Sequence, residues 1–100
     1  MKEDTMFKPI EENPLWGGIQ QIYRFLNNYG ASVVKHAYSY GGPDGLWELA
    51  VIRFKDTKES KWRITYDTSI TDDVIGYLDM EEVYEVLCQI QDLPESRGAL

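Results

Sequence analysis

The chain has 100 residues and a net charge of -7 at pH 7. This length supports one hydrophobic core and not two, so we expect one domain. The single cysteine, Cys88, excludes an internal disulfide and a four-cysteine zinc site and favours a reducing compartment. No apolar run approaches the roughly 18 residues of a membrane-spanning helix, and the acid-containing N-terminus is unlike a secretion signal. We therefore expect a cytoplasmic protein with no membrane partner.

Acidic residues are concentrated in the last third of the chain. Between Ile64 and Ser96 there is no Lys or Arg. The acids of this span are Asp67, Asp72, Asp73, Asp79, Glu81, Glu82, Glu85, Asp92 and Glu95. Because phosphate contacts depend on Lys and Arg, this block argues strongly against nucleic acid as a direct ligand. Two interpretations stay open: a surface that meets a basic partner, or a solvated acidic face that keeps the protein in solution.

The first two thirds of the chain predict an arm followed by strands. Residues 1–14 mix charges with Pro9 and Pro14 and show no period, which predicts a flexible N-terminal arm. Four runs rich in β-branched and aromatic residues are separated by polar or glycine-containing turns. They predict strands over Ile19–Phe25, Ala31–Tyr40, Leu46–Phe54 and Lys61–Asp67. Neither face of Leu46–Phe54 is clearly polar, as expected for a central strand.

The last third predicts two helices. Thr71, followed by Asp72 and Asp73, is typical of the N-terminus of a short helix. Asp79 then caps the main helix, and Glu82 at its third position completes a capping box. The apolar stripe of this helix is Met80, Val83, Tyr84, Leu87 and Ile90. Pro94 ends the helix, and residues 95–100 are expected to fray.

These elements predict an α+β fold: a four-stranded antiparallel meander with a short helix and a C-terminal amphipathic helix packed on one face. Residues 15–94 form the domain. The arm, residues 1–14, and the tail, residues 95–100, lie outside it.

Few residues in the chain are candidates for catalysis or metal binding. His36 is the only histidine, and catalysis by it would need a partner such as Asp67 or Glu48 within hydrogen-bond reach. Asp67, Asp72 and Asp73 carry the oxygen ligands that magnesium or calcium prefers, but they do not fit the EF-hand spacing and helix capping explains two of them. We therefore predict no enzyme activity, no metal and no cofactor, and we expect Cys88 to be an inert, buried thiol.

The glycine-rich segment Tyr40–Gly45 is the other candidate feature. It lacks the Lys-Ser/Thr pair of a phosphate-binding loop. One interpretation is a binding loop that includes Asp44 and uses Tyr38, Tyr40 and Trp47 as rigid aromatic anchors. The other is a plain tight turn between two strands.

The sequence of the central region resembles that of a family of small uncharacterised proteins encoded by bacteriophages and prophages. The similar segments lie within residues 17–93 and are Tyr23–Phe25, Asn28–Val34, His36, Ser39–Gly42, Gly45–Val51, Ile64–Thr68 and Ile70–Leu78. The resemblance implies a phage context and no particular activity. By analogy of class, small acidic phage proteins are similar to inhibitors of bacterial defence, including anti-CRISPR proteins that imitate the charge of DNA.

Two functional hypotheses follow. The first is a non-enzymatic inhibitor or adaptor that binds a basic site on a host protein concerned with defence or nucleic-acid processing. Its predicted binding residues are Tyr38, Tyr40, Asp44, Trp47, Asp72, Asp73, Glu81, Glu82 and Glu85. The alternative is a small-molecule or nucleotide binder, or a minor enzyme, that uses the 38–45 loop with His36 and Asp67. The sequence leaves a homodimer open.

Overall fold

An antiparallel sheet and a helix make up the described part of the computed structural model, which comprises residues 7–55, 61–71 and 73–94. The strands are β1 (Glu11–Leu15), β2 (Gly18–Arg24), β3 (Tyr29–Lys35), β4 (Trp47–Phe54), β5 (Trp62–Ile64) and β6 (Ile75–Leu78), followed by helix α1 (Met80–Gln91). Strands β1 to β4 are neighbours in chain order, and β5 and β6 both pair with the remaining edge of β4. The predicted α+β class is confirmed.

The predicted number of strands was wrong, because β1 and β6 were not expected. Strand β1 lies mostly in the segment assigned to the N-terminal arm, where Glu11, Glu12 and Asn13 show no apolar alternation. It pairs with β2 at the edge of the sheet, where Pro14 is tolerated because an edge strand has one unpaired side. Residues 1–6 of the predicted arm and the predicted frayed tail, residues 95–100, lie outside the described residues.

The short helix predicted from Thr71 is instead a turn followed by a strand. The Thr71 hydroxyl accepts a hydrogen bond from the backbone N–H of Asp73 at 3.1 Å, which closes a local turn. Ile75–Leu78 then pairs with the start of β4, and Tyr77 N–H donates to the carbonyl of Tyr40 at 3.1 Å. A local capping pattern was overridden by pairing with residues about 30 positions earlier in the chain.

Helix α1 covers one face of the sheet. The core on this face includes Tyr23, Ala31, Val33, Leu49 and Val51 from the sheet and Val83, Leu87 and Ile90 from the helix. The opposite face buries a smaller cluster of Ile22, Ile52 and Phe54, with Trp62 packed against it. The predicted stripe of α1 is confirmed at Val83, Leu87 and Ile90, whereas Met80 is exposed and Tyr84 half-buried.

Side-chain hydrogen bonds determine where both ends of α1 lie. The predicted capping box is present, because Glu82 N–H donates to the Asp79 carboxylate at 2.8 Å and Asp79 N–H donates to the Glu82 carboxylate at 2.9 Å. At the other end, the Asn27 side-chain amide donates to the carbonyls of Ile90, Gln91 and Leu93 at 2.9, 3.2 and 3.0 Å. Asn27 therefore joins the end of α1 to the β2–β3 turn.

We predict that Asn27→Ala lowers the free energy of unfolding by about 1–3 kcal/mol, because it removes the donor to the last carbonyls of α1. Asn27→Asp is the matched variant: it retains an acceptor for Tyr29 N–H, a bond of 3.0 Å in the native protein, but places a carboxylate at the negative end of the helix dipole. Urea titration should show a loss for Asp at least as large as for Ala. A loss below about 0.5 kcal/mol for the Asp variant would contradict this role.

A second prediction concerns Tyr23, whose phenol donates to Gln21 Oε1 at 3.0 Å. Burial raises the pKa of Tyr23 to about 12, and Tyr84 and Glu12 add to the shift. The folded state thus holds this proton more tightly than the unfolded chain, whose tyrosine pKa is about 10. The resulting stability is fully present below pH 10 and is lost as the pH rises towards 12. Across that range, the free energy of unfolding should fall more steeply for the native chain than for Tyr23→Phe; equal slopes would exclude the effect.

Candidate functional site

Three connections meet at one end of the sheet, which we call the loop end and define as residues 15–18, 35–48 and 77–82. The antiparallel register pairs Leu15 with Gly18 and Trp47 with Leu78, and β3 ends at Lys35. The β1–β2 turn, the β3–β4 connection and the start of α1 are therefore neighbours. The opposite end comprises residues 24–29, 53–55, 61–63 and 90–94, where the Asn27 contacts hold the end of α1.

A group of rings, the aromatic cluster, lies at the loop end and consists of the exposed Trp16 and Tyr38 and the half-buried His36. The Trp16 ring meets the His36 and Tyr38 rings nearly at right angles, with centroid distances of 5.0 and 5.7 Å. Trp16 and Tyr38 nevertheless expose 62% and 77% of their surface. Sequence analysis did not single out Trp16; the available signal was a large aromatic residue directly before two glycines.

The backbone of Trp16 is strained. Its φ is 46°, and that of Gly17 is 76°. Two consecutive residues of positive φ are typical of the tight hairpin turns in which Asn, Asp or Gly is preferred. A bulky side chain in this region of φ is an outlier that costs of order 1 kcal/mol. The ring is not buried, so the strain is not offset by burial in the core.

The β3–β4 connection is an ordered loop. The predicted strand Ala31–Tyr40 ends five residues early, at Lys35, and Gly42–Asp44 forms a 3₁₀ helix. The Ser39 hydroxyl accepts a hydrogen bond from His36 N–H at 2.9 Å and donates one to the His36 carbonyl oxygen at 3.1 Å. Gly41 has a φ of 90°, and a Cβ there would approach Tyr77 Cα to 2.9 Å. These contacts hold the loop against β6.

The structure separates the predicted aromatic anchors into surface and core residues. Tyr38, Tyr40 and Asp44 are exposed in the loop, as a binding role requires. Trp47 is 9% exposed and belongs to the helix-side core, the cluster between the sheet and α1. Lys35 Nζ lies 4.6 Å from the centroid of its ring. Trp47 is therefore not a surface anchor, because it is the first residue of a strand buried on both faces.

The predicted acidic residues do not form one continuous face. Glu81 and Glu82 are exposed at the loop end, where Glu82 is occupied by the capping box. Glu85 is exposed about one helical turn further from that end, and Asp73 is exposed just before β6. Asp72 lies outside the described residues. Only part of the predicted acidic set thus lies at the loop end.

Charges on the two ends of the sheet differ in sign. The acidic residues of the loop end are Asp44, Glu48, Asp79, Glu81 and Glu82, and Lys35 is its described base. The opposite end carries Asp92 and five described Arg and Lys residues, namely Arg24, Arg53, Lys55, Lys61 and Arg63. Such a separation produces a field that attracts a cationic group to the loop end.

His36 and Asp67, paired in the alternative hypothesis, have different neighbours. His36 Nδ1 accepts from Tyr38 N–H at 3.0 Å, so this nitrogen is occupied. A hydrogen bond from the Thr65 hydroxyl at 2.5 Å lowers the pKa of Asp67; desolvation opposes the shift, and the backbone of Asp67 and the charge of Arg53 add to it. Asp67 thus lies near Arg53, whereas His36 lies at the loop end with Trp47. Arg53 and Trp47 are six residues apart along β4, which is roughly 20 Å at the usual rise per residue. The contacts of these side chains do not join them into an acid–base pair.

No group of three or more His, Cys, Asp or Glu side chains within residues 7–55, 61–71 and 73–94 is arranged to hold a metal ion. Cys88 is a half-buried free thiol packed beside the helix-side core. The same described residues include no helix with the length and hydropathy required to cross a bilayer. No protein-family model, curated protein or solved structure matches the chain.

Proposed function

We propose that this chain is a non-enzymatic interaction protein whose loop end binds a basic site on a host protein, as an inhibitor or adaptor. The observation that carries the proposal is the meeting of two predicted features at one end of the sheet. The exposed loop residues Tyr38 and Tyr40 share that end with the acidic start of α1, while a group of Arg and Lys residues lies at the other.

The two features would have different roles in binding. Exposed carboxylates such as Asp44 and Glu81 act over distances of about 8 Å at physiological salt and mainly raise the rate of encounter with a basic surface. Rigid aromatic side chains such as Tyr38 and Tyr40 supply contact area and slow dissociation once the complex has formed. Because the opposite end repels a basic partner, the charge separation also orients the approach.

The proposed class of partner follows from charge and from the resemblance to phage-encoded proteins. Proteins that process nucleic acid carry Lys and Arg where they contact phosphates, and an acidic surface can occupy such a site. We therefore propose a host defence protein or nucleic-acid-processing protein as the target.

The proposal is tested by reversing two charges at the loop end. Asp44→Lys with Glu81→Lys leaves the Asp79–Glu82 capping box intact, and each changes an exposed residue. The partner is first captured on the immobilised native chain from bacterial lysate at low salt and identified by mass spectrometry. Its association with both chains is then measured by biolayer interferometry over a range of salt. We expect association to slow by roughly tenfold or more at low salt and the difference to shrink as salt rises.

The matched control is Glu11→Lys with Asp92→Lys, which makes the same charge change near the opposite end at two exposed residues. It should alter association much less. Equal effects of the two pairs would show that only net charge matters, and failure to capture any basic protein would contradict the proposed partner class. Glu82 is excluded from the test because its loss would break the cap and cost of order 1 kcal/mol of stability.

A further inference from the structure

We infer that the aromatic cluster is a docking site for an arginine side chain of the protein partner. The inference rests on the proposed function, which does not by itself assign any role to Trp16. It identifies the contact that would retain the partner after electrostatic encounter.

The first argument is that folding does not account for Trp16. The turn prefers Asn or Gly at this position because the backbone is left-handed. Burial would compensate for the strain, but most of the Trp16 surface is exposed. Tyr38 is exposed to a still greater extent, although its backbone is tied to His36. Residues held in an unfavourable backbone conformation and exposed to solvent are candidates for binding.

The second argument concerns the shape of the cluster. The Trp16 ring lies at 77° to His36 and at 83° to Tyr38. In a perpendicular pair the edge of one ring meets the other ring, so neither contact is a face-to-face stack. Together with the large exposed fractions, this leaves aromatic surface on which a planar guanidinium can lie.

The third argument is charge, which favours a cation over a neutral ligand. Glu48 is paired with Val34, two residues before His36, and its carboxylate accepts from Tyr40 N–H at 2.8 Å. Asp44 lies in the same connection, and Lys35 already contacts the ring of Trp47. Arginine combines stacking on rings with hydrogen bonds to carboxylates and is less strongly hydrated than lysine. The loop end offers both kinds of contact.

The test uses the full chain, ¹⁵N-labelled, and a short capped peptide containing two arginines, followed by NMR. The peptide should shift the indole N–H signal of Trp16 and leave those of Trp47 and Trp62 in place. Trp16→Gly assigns the signal and should weaken peptide binding roughly two- to thirty-fold, the range for cation–ring contacts. Its melting temperature should stay constant or rise, because glycine adopts positive φ without strain. Tyr38→Ala should weaken binding as well.

Tyr66→Ala is the matched control, since Tyr66 is an exposed aromatic residue outside the cluster. This variant should bind the peptide as the native chain does.

Shifts confined to the first turn of α1 would overturn the inference but leave the proposed function standing. An equal response to a lysine peptide would overturn the assignment to arginine. Trp16 shifts caused only by a neutral disaccharide, or by raising the protein concentration alone, would overturn it in favour of a sugar or a second copy. Loss of the charge-reversal effect would instead count against the proposed function.

Discussion

Strand β4 must hydrogen-bond along both edges and bury side chains on both faces, and the other elements lie where they satisfy these demands. Strand β3 occupies one edge, while β5 and β6 together occupy the other. Leu49 and Val51 face the helix, whereas Ile52 and Phe54 face the second cluster. A backbone N–H or carbonyl left unpaired in this strand would be costly because it is shielded from water. Pairing with β4 therefore outweighs the local preferences of residues 75–78.

The loop end is ordered because the β3–β4 connection packs against β6. Tyr40 provides the carbonyl for Tyr77 N–H, and a side chain at Gly76 would approach Tyr40 Cβ to 2.5 Å. Gly41 in turn leaves room for Tyr77. These close approaches connect residues far apart in the chain, so the position of the β3–β4 connection depends on β6. The conformation of this connection is therefore determined by tertiary packing and not by its own sequence alone.

Sequence patterns predicted those parts of the molecule in which local signals and tertiary packing agree. β2, β4, the stripe of α1 and its capping box were predicted because period and caps point to the same elements. β1 was missed because an edge strand with Glu11 and Pro14 has little apolar patterning. Among candidate site residues, Tyr38, Tyr40 and Asp44 are exposed, and their role in binding stays a prediction. Trp47 is buried, which the sequence could not show, because an aromatic residue beside a glycine-rich turn gives the same pattern whether it points outwards or begins a buried strand.

At the loop end, backbone strain occurs at residues whose backbone is restrained by neighbouring strand pairs. Trp16 and Tyr77 have φ values of 46° and 59°, and both side chains are exposed. Each such conformation costs of order 1 kcal/mol, and a domain of this size has about 5–15 kcal/mol of net stability. The cost is tolerable only because the hairpin to β2 and the pairing with β4 restrict the backbone on either side. Because the strain falls on exposed aromatic residues, stability is lost without a gain in core packing. Under the proposed function, this cost is the price of presenting the rings to a partner.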